Sequence, residues 1–336
     1  MSKSHPGTLH EYVISQTPYQ HVGLSKLTEE KAPKLVAFEF TSSTPRKPHS
    51  LIFIGGLTDG LCTVPYVAPL AAALEPTDWS VFQAQLSSSF GSWGIGSLDK
   101  DVEEITKCID FVRGLKASST SGSAPGKIVI MGHSTGSQDV LHYLYTQGNR
   151  PVVDGAILQA PVSDREAMLA ETRKPGDVGA EAKGSWEQLV SLARQAPVGD
   201  IILPLNLSSK VGLPPDPVSA RRFLSLASPD SPGKPAEDDL FSSDLTDQRL
   251  RETFGAVATR GLLRSKLLVL YSGSDEFAAP WVDKEALMAR WKEATEAGKA
   301  GTWDQNSGVI PGASHNVKDQ GQADLAERVS RYLKSI

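Results

Sequence analysis

At 336 residues, 40% hydrophobic and 22% charged, the chain has the composition of a globular protein that can bury a large core. A formal charge of −5 with no Lys/Arg block argues against nucleic-acid binding by phosphate neutralisation. Two cysteines, Cys62 and Cys108, are too few for a disulfide framework and fit a reducing compartment, and no C-x-x-C or H-E-x-x-H pattern offers a metal site.

The start, Met1 to Gly7, lacks the continuous apolar segment of a signal peptide, and no apolar run approaches transmembrane length. Lys334-Ser335-Ile336 is not the peroxisomal Ser-Lys-Leu address. A cytoplasmic protein without membrane insertion is expected. Residues 1–34 are polar and interrupted by Pro6, Pro18 and Pro33, with possible short strands at Leu9–Ile14 and around His21–Leu24. Leu35–Phe40 reads as an early strand. Leu51–Ile54 is fully apolar, as a buried parallel strand should be. It opens into Gly55-Gly56-Leu57-Thr58-Asp59-Gly60. Helical periodicity over Val67–Leu74, a strand at Trp79–Leu86 and the loop Ser87–Gly94 follow. Asp99–Leu115 is amphipathic, with Val102, Ile105, Ile109 and Val112 on one face, and Ser118–Gly126 is a Ser/Gly linker.

The next stretch, Lys127-Ile-Val-Ile-Met-Gly-His-Ser-Thr-Gly136, runs from strand through a tight turn into the helical pattern Ser137–Tyr145. Val152–Gln159 is a further strand. From about Asp164 to Arg260 the alternation breaks down into Pro-rich clusters and short helical candidates at Arg165–Thr172, Ser185–Arg194 and Ser219–Leu226. This reads as an insertion over the sheet, after the sixth strand, within a single domain spanning 1–336. Alternation resumes with a strand at Ser265–Ser272, a helix at Val282–Ala297, a possible strand at Thr302–Ile310 and a closing helix at Asp319–Tyr332. Repeated alternation around buried runs predicts an α/β fold with a mostly parallel central sheet covered on both faces.

Gly132-His133-Ser134-Thr135-Gly136 fits a nucleophile elbow, where a strained turn lifts a serine hydroxyl above the sheet and its neighbours must be nearly bare. A serine hydroxyl needs a base, and that base needs an orienting group. Catalytic groups of such sheets lie beyond the C-terminal strand ends. Two later strand ends supply candidates: Asp275 after Leu267–Leu270, and His315 after the last strand. Ser134, Asp275 and His315 stand in the α/β-hydrolase order of nucleophile, acid and histidine. Asp275 could instead cap the following helix, and Asp164 is the substitute acid because it follows the preceding strand. His133 is expected to shape the turn and His142 to pack or lie at the surface. The oxyanion donors are expected to be the backbone N–H groups of Thr135 and Leu57, with Thr58 as the alternative to Leu57. Thr58 and two aromatics, Trp93 and Trp186, are candidate substrate contacts, the tryptophans against ordinary packing. Neither G-x-G-x-x-G nor G-x-x-x-x-G-K-[ST] occurs, so no nucleotide cofactor is expected.

Ile54–Gly60, Met131–Asp139, Tyr271–Glu276 and Gly312–Asn316 resemble the fungal α/β-hydrolase family that includes intracellular siderophore esterases acting on fusarinine-type hydroxamates. The similarity runs from about Leu51 to the C-terminus. It implies a small-molecule partner, hydrolysis of the esters joining N-hydroxyornithine acyl units, release of iron after uptake, and Ser134, Asp275 and His315 as the triad. The residues themselves indicate acyl-ester chemistry only. Another secondary-metabolite or lipid ester, or a non-catalytic binding protein on the same fold, would fit the same motifs.

Overall fold

Val, Ile and Leu fill the central strands because those strands are covered on both faces, and the computed structural model shows how. It describes residues 5–13, 34–40, 47–117, 125–196 and 200–336. The strands are β1 (Gly7–Val13), β2 (Lys34–Phe40), β3 (His49–Ile54), β4 (Trp79–Gln85), β5 (Ile128–His133), β6 (Gly155–Gln159), β7 (Leu267–Ser272) and β8 (Gly308–Ile310). They form one sheet in the order β1-β2-β4-β3-β5-β6-β7-β8. Pairing is antiparallel at β1–β2 and β2–β4 and parallel from β4 across to β8.

Successive side chains of a strand point to opposite faces, and the core divides accordingly. Ile128 and Ile130 face one apolar layer while Val129 and Met131 face the other. The first layer is closed by helices α2 (Leu98–Ala117) and α3 (Thr135–Tyr145), the second by α1 (Val67–Ala73). A 3-10 helix, Phe90–Ile95, precedes α2.

Between β6 and β7 run α4 (Asp164–Thr172), α5 (Gly176–Gln195), α6 (Leu205–Ser208), α7 (Ala220–Ala227) and α8 (Asp247–Thr259). The stretch 164–260 divides in two. Helices α4 to α7 and the loops between them build their own apolar cluster around Met168, Leu189, Val211, Phe223 and Leu226. Helix α8 instead joins the main core through Leu250, Phe254 and Val257, an i, i+4, i+7 stripe that Thr246 caps by accepting from the Arg249 N–H. It packs between α3 and α9 (Lys284–Gly298), and α10 (Gln322–Ser335) closes the second face.

Boundaries shift in places. The last strand covers only Gly308–Ile310, because the chain from Trp303 makes a single bridge to Leu267 before Asp304 and Ser307 turn it. The possible strand around His21–Leu24 and most of the Ser118–Gly126 linker lie outside the described residues. Among the described residues, no helix is long and apolar enough to cross a membrane.

Candidate active site

Ser134 sits at the apex between β5 and α3 with φ 55° and ψ −123°, a conformation that costs a non-glycine residue about 1–3 kcal/mol. The surroundings hold it there. Its N–H donates to the Gln159 carbonyl at 3.0 Å, and Ser137 Oγ donates to the Gly132 and Gln159 carbonyls at 3.0 and 2.9 Å. A methyl carbon at Gly132 would come within 2.0 Å of the Gly136 carbonyl oxygen, and one at Gly136 within 2.4 Å of that of Ile54. Only glycine fits at either position.

His315 follows β8 on a tight loop and is buried. Its Nδ1 lies 2.8 and 3.0 Å from the two Asp275 carboxylate oxygens. Asp275 also accepts from the Phe277 N–H at 3.0 Å, and Glu276 accepts from the His315 backbone N–H at 2.8 Å. The Phe277 ring stands edge-on to the imidazole at 4.8 Å. Three consecutive residues after β7 therefore fix the histidine loop. Asp164, the substitute acid, is engaged elsewhere: Gln138 Nε2 donates to it at 2.8 Å, and burial pushes its carboxyl up to about 6.

Ser134, His315 and Asp164 border one cavity of about 710 Å³, within the range of small-molecule sites. Leu57 and Thr58, from the loop after β3, border it too, and Gly56 is so close to Ser134 that a methyl carbon there would meet its Cβ at 2.6 Å. Thr58 has φ 64°, and among the described residues neither the Leu57 nor the Thr58 N–H has a hydrogen-bond partner. The Thr135 N–H is likewise free at the first turn of α3, whose partial positive charge favours an anion. No hydrogen bond links Ser134 to His315 among the described residues; in unliganded sites this contact is commonly long and tightens with substrate.

The two tryptophans singled out from the sequence do not border the cavity. Trp93 is buried in the apolar cluster of α4 to α7 and donates through Nε1 to Asp216 at 3.0 Å. Trp186 packs against the same cluster, its ring 6.1 Å from that of Phe223. Their places in the chain suggested the cavity, but the insertion has a core of its own and takes both as packing. The aromatic wall comes from Phe277 and Trp281. Trp281 lies under the Arg173 guanidinium at 4.0 Å and donates to Glu166 at 3.0 Å.

Sequence reasoning also passed over Gln159 and Asn316. Gln159 is a fully buried amide at the end of an apolar strand, a signal that was legible. A His142–Asp99 pair at 2.8 Å, with Glu237 beside it, has metal-ligand spacing but does not border the cavity.

A family model described as "Protein of unknown function (DUF1749)" matches residues 1–334. The chain belongs to this family. Among its relatives, fusarinine C esterase sidJ of Aspergillus fumigatus is 48% identical over 346 residues, covering 94% of this chain and 97% of that protein. Esterase AN6793 of Emericella nidulans is 42% identical over 377 residues, covering 99% and 94%. The solved structure of siderophore hydrolase EstB from Aspergillus fumigatus superposes with TM-score 0.85 at 46% identity, covering 99% of this chain and 98% of that one. The family's resemblance to fungal siderophore esterases, read from four motifs, therefore holds along the whole chain. A 15% identical structure described as an alpha/beta hydrolase fold protein, with TM-score 0.55, bears on the fold alone and agrees with it.

Proposed function

We propose that the chain is a serine esterase that cleaves the carboxylic ester bonds of fusarinine-type hydroxamate siderophores and so frees their iron inside the cell. The observation that carries this reading is the buried His315–Asp275 pair facing the same cavity as a serine on a strained elbow. Relatives named as a fusarinine C esterase and a siderophore hydrolase supply the substrate class.

Ser134 Oγ attacks the ester carbonyl carbon while His315 Nε2 takes its proton. Asp275 holds the Nδ1–H and steadies the imidazolium that forms. The Thr135 and Leu57 N–H groups, both free, receive the oxyanion. Collapse expels the alcohol, which leaves with the proton from His315, and a water activated by the same histidine then releases the acid from Ser134. The iron-bearing siderophore is the substrate, and α4 to α7 form the cap that selects it, through Met168, Val211 and Leu213 on the cavity wall. Cys62 and Cys108 are both unpaired, which supports a reducing, cytoplasmic setting.

The test is fluorophosphonate labelling at neutral pH combined with a panel of siderophore and simple esters. Ser134 labels in the wild type and siderophore esters are cleaved. An unlabelled Ser134 would contradict the serine mechanism, and activity confined to simple lipid esters would contradict the substrate.

A further inference from the structure

The residue before the nucleophile is a second buried imidazole. The His133 ring lies 4.9 Å from that of His315, and both nitrogens are engaged. Nδ1 is 2.5 Å from Gln159 Oε1, and Nε2 is 2.8 Å from the Asn316 side chain, with Asp59 farther off at 3.9 Å. Gln159 has a fixed orientation. Its oxygen also accepts from Tyr66 OH at 2.9 Å, while its nitrogen donates to Ser272 Oγ at 3.1 Å and reaches the His315 carbonyl at 3.5 Å. His133 must therefore donate from Nδ1. Burial, then the neighbouring His315, push its pKa down. With Nδ1 donating to Gln159, a neutral ring accepts at Nε2, and the amide of Asn316, 2.8 Å away at Oδ1, meets it by presenting its nitrogen in the flipped orientation.

The network touches the strand ends that carry the nucleophile and the acid, and the loop that carries the base. His133 ends β5 and precedes Ser134, Gln159 ends β6 and its carbonyl holds the Ser134 N–H, and Ser272 ends β7 and accepts from the Asp275 N–H at 3.3 Å. Asn316 adjoins His315. Building on the esterase reading, we propose that His133 is a positioning residue, tying the loop of the catalytic base to the nucleophile elbow through Gln159 and Asn316. Although His133 borders the cavity, both its ring nitrogens are engaged by Gln159 and Asn316, so it is not placed to exchange a proton with Ser134. Its work is to set where His315 stands relative to Ser134.

The experiment is a double-mutant cycle with His133→Phe and Asn316→Ala, read with p-nitrophenyl acetate and with the rate of fluorophosphonate labelling. Asn316 is half-buried on a loop, so its variant tests the idea even where His133→Phe fails to fold. Each single variant lowers kcat and the labelling rate about tenfold or more, with KM within about twofold, because misplacement of a catalytic group acts on kcat. The double variant is no slower than His133→Phe alone, since Asn316 acts through that ring. His133→Gln, which keeps a donor and an acceptor, recovers most of the loss. Unchanged kcat in Asn316→Ala, losses that multiply, or a rise in KM alone would overturn the inference. Failure of the esterase reading looks different: the wild type itself does not label.

Discussion

Ser134 pays for its exposed hydroxyl with a backbone conformation that few residues adopt, and two glycines make that conformation reachable. Gly136→Ala pushes a methyl carbon into the Ile54 carbonyl, so it should destabilise the fold by about 2–4 kcal/mol and abolish labelling of Ser134; denaturant titration checks the first effect. In the proposed triad Asp275 acts by fixing the His315 tautomer. Asp275→Asn should keep the fold and KM while lowering kcat on the order of 10³–10⁴-fold, and steady-state kinetics with unchanged kcat would refute that role. Ser134, Asp275 and His315 can be picked out of the sequence because chain order and strand-end position constrain them together, and the fold brings Ser134 and His315 to one cavity with Asp275 on the histidine. Trp93 and Trp186 were misread because sequence position marks the right loop but not which way a side chain turns once the insertion packs.

Among the elements, α7 has a buried polar anchor. Arg222 is buried and donates from Nη1 to both Asp238 oxygens at 2.6 and 2.7 Å, and Ser225 Oγ donates to the same carboxylate at 2.5 Å. Removing one partner strands the other charge in the interior. Arg222→Met should therefore cost about 3–5 kcal/mol in chemical denaturation, far more than a surface ion pair such as Arg194–Asp230; a cost below about 1 kcal/mol would show that the pair is solvated in solution. Strands β3 and β5 to β7 were readable as short apolar runs, and helices α1 to α3 as helical patterns following them. Helix α8 was readable too, from Leu250, Phe254 and Val257, but the Pro-rich sequence before it masked the return of the pattern. The last strand is shorter than the sequence suggests because Trp303, near its start, makes a single bridge to the sheet without laddering.

At the scale of the whole molecule, the sheet's two-sided core fixes the loops at its strand ends, while helices α4 to α7 build a separate core beside them. Acidic groups lie at the boundary between them. Burial raises Asp101 to about 7 even though Ser88 Oγ donates to it at 2.7 Å, and Glu237 rises to about 7 through burial and the neighbouring Asp238. A carboxyl whose folded pKa lies above its ordinary value binds its proton more tightly in the native chain. Its contribution to stability is present at low pH and is lost as pH rises through about 7. Asp101→Asn has no such loss, so between about pH 5 and pH 8 its stability should shift upward relative to wild type. Melting curves across that range check this, and a constant gap between the two proteins would contradict it.

The residues of the cavity indicate acyl-ester chemistry, and the substrate class rests on the relatives. Incubation with a cyclic trihydroxamate ester siderophore, followed by mass spectrometry of the products, tests both at once. The wild type should yield the ring-opened acid, one water heavier, and then its hydroxamate monomers, while Ser134→Ala leaves the ring intact. An intact ring in the wild type, or equal cleavage by Ser134→Ala, would contradict the account.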